Sequence, residues 1–495
     1  MTPNRRQFIQ LFGSIAASYA LPFSALPSFA LSKLLTSSEL KLDTSNENLH
    51  LDIIELAKQY KKSSNLHLLL PEGSQFNVKP IADWFSEAVG LKVTLETVPV
   101  DDINTRILLD KRLKHISWDV ALPATFGIPE LAESGAIADV SQLRKQIEPQ
   151  GFDSNRYYQL GDLYKGRFYG YQTDGDVYMM FYNQLLTTLP KRNDFADAFG
   201  YTYRLPKTWE ELDQHLAFFH DPQNNIFGGA LFKSPNYLVW EFWSRFHAKG
   251  QLPLNDDLSP NIDNEHGIAV LEDIIRSVAY MHPNARKDGL VDNWRTFAKG
   301  NIYANIGWGG TQKYLVENQS PLVGNLRYDA LPGGTVNGQF IDAGYFNWGW
   351  NYTLSPMVKD PVLAYLFTLF AVSPMPSTTA VAQQKGFFDP FRKEHYQDNN
   401  IQRIYTQEFL EAHENSMKNC IPDFYMNGQQ LYMGELRRYL NAAVNQKISP
   451  RKALEAAANS WKNIHEKMGV EKQAIQWSFL RLQYPKPFKE ALKYD

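Results

Sequence analysis

The chain has 495 residues, 50 Lys plus Arg against 53 Asp plus Glu, a formal net charge of -3 and a single cysteine. That near-neutral balance, without a long basic run, argues against nucleic acid or an anionic membrane as partner. One cysteine leaves no internal disulfide, and the length exceeds what one hydrophobic core usually serves, so two or more domains are expected.

The first thirty residues have the three-part anatomy of an export signal. Asn4-Arg5-Arg6-Gln7-Phe8-Ile9 opens it in the twin-arginine manner, an apolar stretch runs from Ile9 to Leu26, and Ser28-Phe29-Ala30 forms a small-x-small cleavage site. Pro22 and Pro27 break the stretch, which falls short of the roughly 20 apolar residues of a spanning helix. Removal after Ala30 is therefore expected, with the mature protein free in the periplasm. A Sec signal that happens to carry two arginines is the alternative, because Asn4 stands where Ser or Thr is preferred before the pair.

Beyond an N-terminal extension, 31–64, the pattern becomes regular. Leu66 to Leu70 reads as a strand, Val78 to Val89 as a helix stopped by Gly90, Leu91, Val93 and Leu95 as a second strand, Ile103 to Leu108 as a helix face, and Trp118 to Leu122 as a third strand. This β-α-β-α-β order predicts a parallel sheet. Ligands of such sheets bind beyond the carboxyl ends of the strands, which makes 72–76 and 123–126 a candidate rim, with Glu72, Phe76 and Thr125 as candidate ligands. Thr208-Trp209-Glu210-Glu211 is a capping box, and apolar stripes at Ile268 to Val278 and Leu454 to Met468 read as core helices.

Catalytic and metal motifs are scarce. His215 and His220 are five apart with no third ligand in view, neither glycine-rich segment (307–310 or 332–334) matches a phosphate or dinucleotide loop, and no Gly-x-Ser-x-Gly elbow occurs. No metal, cofactor or catalytic residue is assigned, and Cys420 reads as a buried or incidental thiol. Thr173-Asp174-Gly175-Asp176 pairs two carboxylates. In an extended segment they would lie only about 7 Å apart along one chain, a spacing better suited to accepting hydrogen bonds from hydroxyls than to flanking a glycosidic bond. Aromatics form 14% of the chain and cluster beside glycine and asparagine: Tyr237, Trp240 and Trp243; Gly307-Trp308-Gly309; and Tyr345-Phe346-Asn347-Trp348-Gly349-Trp350. A sugar has apolar C–H faces and polar edges, and indoles with carboxylates at their rim suit both.

In order along the chain, Trp118-Asp119-Val120, Leu131 to Val140, Tyr164-Lys165-Gly166-Arg167-Phe168-Tyr169-Gly170-Tyr171, Phe181-Tyr182-Asn183, Pro206 to Leu212, Phe297 to Ala304 and Ala330-Leu331-Pro332-Gly333 resemble the extracellular solute-binding proteins of bacterial ABC importers, the family of the maltose-binding proteins. The resemblance implies an α/β periplasmic binding protein fold: lobe 1 from 65–172 plus 348–388, lobe 2 from 173–347 plus 389–469, a C-terminal extension from 470–495, and solute between the lobes. It also implies Asp176 as an acidic cleft residue, Tyr237 and Trp240 as an aromatic wall, Trp308, Trp348 and Trp350 near the cleft, and Asp423 and Tyr425 from a last aromatic segment. Gln172 departs from the proline usual after Tyr-Gly.

The expected protein is a monomeric carrier, not an enzyme, that delivers a carbohydrate or polyol to permease subunits by hinge closure. A cationic or other small solute in the same fold is one alternative, and a secreted glycoside hydrolase or a cofactor-bearing oxidoreductase is another.

Overall fold

The computed structural model describes residue 42 and residues 48–341 and 344–493; the export signal and residues 31–41 and 43–47 of the N-terminal extension lie outside the described residues. Two sheets organise it. In the first, Lys92–Val98, Asn65–Pro71 and Val120–Ala121 run parallel, and Asn351–Leu354 joins antiparallel between Val120–Ala121 and Gly170–Gln172. In the second, Ile421–Pro422, Tyr345–Phe346, Val177–Asn183, Ile302–Gly307 and Phe227–Ala230 lie in that order, with Leu326–Ala330 paired to Val177–Asn183 beside Tyr345–Phe346.

The local patterns that predict these elements are physical ones. Leu66, Leu68, Leu69 and Leu70 are buried on both faces of a central parallel strand, which is why that run is continuous rather than alternating. The helix Gln75–Val89 ends at Gly90, whose φ of 71° closes it in the left-handed region. It starts three residues before the apolar stripe does, because Gln75 and Asn77 enter the first turn without contributing to the stripe. Thr208 caps Trp209–Phe218 by accepting from the Glu211 amide at 3.2 Å, and Ser449 caps Pro450–Met468. The helix Pro361–Val372 is apolar all round and buried from Val362 onward, as a helix in the middle of a core must be. Among the described residues no single helix is long and apolar enough to cross a membrane.

The described parts of both extensions pack on the body. Leu49–Tyr60 lies against Pro361–Val372, and the Asp360 carboxylate accepts from the amides of Lys62 and Ser63. At the other end, Val470–Leu482 and Lys486–Leu492 cover the second sheet's helices: the Trp477 indole donates to Asn255 O (3.1 Å), and Tyr484 meets His247 Nε2 (2.9 Å).

Three passages join the two sheets: 173–176, 347–350 and the loop 382–392 that follows the helix Pro374–Val381. They touch one another. The Thr173 amide donates to Trp350 O (2.9 Å) and the Gly175 amide to Asp389 O (3.2 Å). Below them, buried Arg156 donates to Asp162 (2.7 Å) and to Gln172 O (3.0 Å), while Asp162 accepts from the Gln172 amide (2.5 Å). Gly175 is required by close approach, since a Cβ there would stand 2.0 Å from Pro390 O. Gly175→Ala is expected to force the first and third passages apart and lower the free energy of unfolding by about 1–3 kcal/mol or more, read from the urea midpoint; an unchanged midpoint would show that these passages give way freely.

Candidate functional site

The space between the sheets is walled by rings. Tyr237 precedes the helix Leu238–Ala248 and Trp240 lies in its first turn, Trp308 precedes Gly309–Glu317, and Trp348 and Trp350 ride on the second passage. Their centroids interlock: Trp240 to Trp348 is 5.3 Å, Trp240 to Trp308 5.6 Å, Trp348 to Trp350 6.0 Å and Trp308 to Trp348 6.1 Å. Tyr237 lies near-parallel to Trp348 at 6.5 Å. Edge-to-face and offset contacts of this kind satisfy the rings' quadrupoles. Asp176, Trp294, Trp308, Trp348, Trp350 and Phe387 line a cavity of about 30 Å³ among them. The indole N–H groups of Trp240, Trp294, Trp348 and Trp350 are buried without a hydrogen-bond partner among the described residues, whereas Trp308 donates to Asn347 Oδ1 at 2.8 Å. Buried donors left unbonded are uncommon in structural cores.

Beneath the wall, Asp174, Asp176 and Asp389 bring carboxylate oxygens within 4.8 Å of one another. Each is held by backbone of a neighbouring segment. The Asp389 amide donates to Asp174 Oδ1 (2.6 Å) and the Gly349 amide to Asp176 Oδ2 (3.1 Å). Asp389 itself accepts from the Gly309 amide (2.7 Å), at the positive end of a helix, and from the Tyr405 hydroxyl (2.6 Å). A Cβ on Gly309 would sit 2.3 Å from Asp389 Oδ1, so glycine is needed for that approach. Lys313 is the nearby cation, its Nζ donating to Val381 O (2.9 Å) and Phe388 O (2.8 Å). Three buried carboxyls against one ammonium leave an excess of negative charge, and protons relieve it. Burial, and then the neighbouring carboxylates, push Asp174 and Asp176 well above the usual carboxylate range. Burial raises Asp389 to about 6 although Lys313 opposes it, and burial lowers Lys313 to about 8. Among the described residues this is the one group of metal-ligating types close enough to hold a cation, but its backbone and hydroxyl donors and Lys313 already address part of its charge.

Of the sequence candidates, Asp174, Asp176, Tyr237, Trp240, Trp308, Trp348 and Trp350 are thus brought together. Others lie apart. Glu72 is exposed on the loop beyond Asn65–Pro71, and Phe76 is exposed in the first turn of the helix Gln75–Val89. Thr125 is buried beneath the passages, 2.9 Å from Gln172 Oε1 and 2.7 Å from Asn351 Oδ1. Asp423 accepts from the Tyr345 hydroxyl (2.7 Å) and Gln429 (2.9 Å), and Tyr425 donates to Leu163 O (3.2 Å). His215 is buried against Tyr303, and burial pushes the Cys420 thiol up to about 12. Trp294, Phe387, Asp389 and Lys313 escape the sequence reading. A lone tryptophan in an ordinary helix stripe, a Phe-Phe-Asp-Pro loop and a helix lysine carry no local mark of a site.

Residues 81–405 match the model of the bacterial extracellular solute-binding protein family. The chain belongs to that family. Solved structures with the same fold include the ribitol complex of an ABC transporter solute-binding protein from Agrobacterium radiobacter K84, at 18% identity over 81% of this chain and 99% of that one, with a TM-score of 0.69. Maltose-bound MalE3 of T. maritima is similar at 16% identity over 81% and 100%, TM-score 0.67. A D-mannitol-bound protein from Agrobacterium vitis S4 is similar at 16% over 82% and 99%, TM-score 0.65. The two sheets are therefore the cores of the two α/β lobes of a periplasmic binding protein fold.

The carboxyl cluster carries a pH signature. An acid whose pKa is higher in the fold than in the unfolded chain binds more protons when folded, so stability falls as pH rises through that interval. For Asp389 the interval runs from 3.8 to about 6, and Asp174 and Asp176, raised well above 3.8 chiefly by burial, add to the same trend. Unfolding free energy is expected to decline from pH 4 toward neutrality. Asp174→Asn, which keeps an acceptor for the Asp389 amide, is expected to make that decline shallower in urea titrations; an identical slope would assign it to other groups.

Proposed function

We propose that the chain is the substrate-binding component of an ABC importer and carries a neutral polyhydroxylated solute, a carbohydrate or polyol. The observation that carries this reading is the ring wall between the lobes, where unbonded indole N–H groups and the Asp176 carboxyl stand at the edges of flat apolar faces. Apolar faces receive C–H surfaces, and polar edges receive hydroxyls. A carboxyl driven toward its neutral form both donates and accepts, which suits hydroxyls and gives a cationic solute little counter-charge. The ribitol, maltose and D-mannitol of the structural relatives support the same class.

A 30 Å³ space admits about one water, so a sugar ring requires the walls to part and close again around it. Residues 65–172 with 348–388 form one moving body and 173–347 with 389–469 the other, turning on the three passages. A solute that touches both bodies makes its full set of contacts only in the closed form and shifts the population toward it, and the permease reads that form. The protein acts as a monomer in the periplasm, without turnover, after export through the twin-arginine signal at Arg5 and Arg6.

A thermal-shift screen of sugars, polyols and amines, followed by titration calorimetry of the hits, tests the solute class. A saturable stabilisation by a sugar or polyol is expected, with Trp308→Ala weakening it by about 10- to 100-fold and no product released from a labelled oligosaccharide. Stabilisation by amines alone, or release of product, would replace the reading. Export is tested separately: Arg5→Lys with Arg6→Lys is expected to leave the precursor in the cytoplasm, and normal export of that variant would assign a Sec route.

A further inference from the structure

A second cavity, of about 280 Å³, opens at the far end of lobe 2. The strand Val177–Asn183 leads to it from the ligand cleft, and six residues of strand place Tyr182 about 20 Å beyond Asp176. Its lining contains Arg192, Arg204 and Arg327 and no carboxylate. Acids stand behind two of the arginines: Arg204 makes a two-pronged contact with Glu211 (2.6 and 2.8 Å) and Arg327 pairs with Glu408. A third, Asp329, is engaged by Lys207 at 2.8 Å.

Among the described residues Arg192 pairs with no carboxylate. Its Nε donates to Thr187 O (2.7 Å) and its Nη2 to Thr187 Oγ1 (3.3 Å), and the guanidinium lies 5.4 Å from the Tyr203 ring centroid, which holds it flat and leaves part of its donor fork unused. Its position adds to the imbalance, because Lys191 and Arg192 both fall in the opening turn of Leu189–Phe199, a turn without an acid, where the helix dipole is already positive. The second independent feature is Tyr182. It lines the cavity, is 1% exposed, and its hydroxyl is buried with no hydrogen-bond partner among the described residues.

We propose that this cavity is a binding site for a small organic anion, distinct from the cleft between the lobes, with Arg192 holding a carboxylate or phosphate group and the Tyr182 hydroxyl donating to an acceptor on the same molecule. A guanidinium fork and a phenol are donors matched to oxyanion oxygens. The volume is several times the roughly 30 Å³ a water molecule takes up in the liquid, which suits an anion of several heavy atoms and leaves room for a bare phosphate. The site does not depend on the identity of the transported solute.

Citrate and inorganic phosphate are the probes, titrated calorimetrically into the mature protein at ionic strength matched with sodium chloride, so that general salt effects cancel. Saturable binding of at least one probe is expected. Arg192→Gln, at an exposed position, is expected to weaken it at least tenfold without moving the unfolding midpoint of the protein alone, and Tyr182→Phe to weaken it severalfold. Binding of both probes separates a general oxyanion site from one specific to carboxylates or to phosphate. No saturable heat up to about 10 mM, or equal affinity in wild type and Arg192→Gln, overturns the proposal. Hits from the sugar and polyol screen are measured in the same variants and are expected to bind unchanged; loss of anion binding with sugar binding intact isolates this site, and anion binding without any sugar binding sinks the carbohydrate-or-polyol reading alone.

Discussion

Three passages of chain between the lobes meet on one buried group of carboxyls, and the arrangement of the cleft depends on that meeting. Asp174 and Asp176 belong to the first passage, the Gly349 amide to the second and Asp389 to the third, and each hydrogen bond among them joins segments far apart in sequence. In water these bonds would be worth little. Buried, they are strong, and an unpaired member would be correspondingly costly. Burial and mutual repulsion raise these carboxyls toward their protonated forms, so charge as well as shape enters the contact between the passages. The helix Gly309–Glu317 completes it, aiming its first amide at Asp389 while Trp308, one residue earlier, joins the ring wall. The passages and the ring wall are thereby tied together by the same residues.

The elements of lobe 1 are legible in the sequence because their causes are local. A run of leucines, an amphipathic stripe and a glycine stop each report on a few neighbours, and the parallel order follows from their alternation. The family resemblance extends this to lobe 2, whose strands are interrupted by long insertions. The candidate site is legible only where its residues carry a local oddity: tryptophans between glycines, and two aspartates around a glycine. Trp294 sits in an unremarkable helix, and Asp389 becomes a partner of Asp174 across 215 positions; neither relation leaves a trace in spacing.

The strand-end rule behaves similarly. It identifies the loops at 72–76 and 123–126 but says nothing about which side chain turns inward. Glu72 and Phe76 face outward, while it is Gly73, without a side chain, that lies close to the Phe387 ring. Thr125 turns down into the Gln172 and Asn351 network instead. Asp423 and Tyr425 are drawn from the cleft by partners of their own, the Tyr345 hydroxyl and Leu163 O, which arrive from distant parts of the chain.

The ring wall has an optical consequence. Trp240, Trp308, Trp348 and Trp350 stand in a connected series of centroid separations between 5.3 and 6.1 Å, near enough for their excited states to mix and for excitation to pass among them. Parting the lobes would separate rings carried on lobe 2 from those on the connecting passage, and water would reach indoles whose N–H groups are now dry. Intrinsic emission and near-ultraviolet dichroism should therefore register the spacing of the lobes themselves, without any attached label.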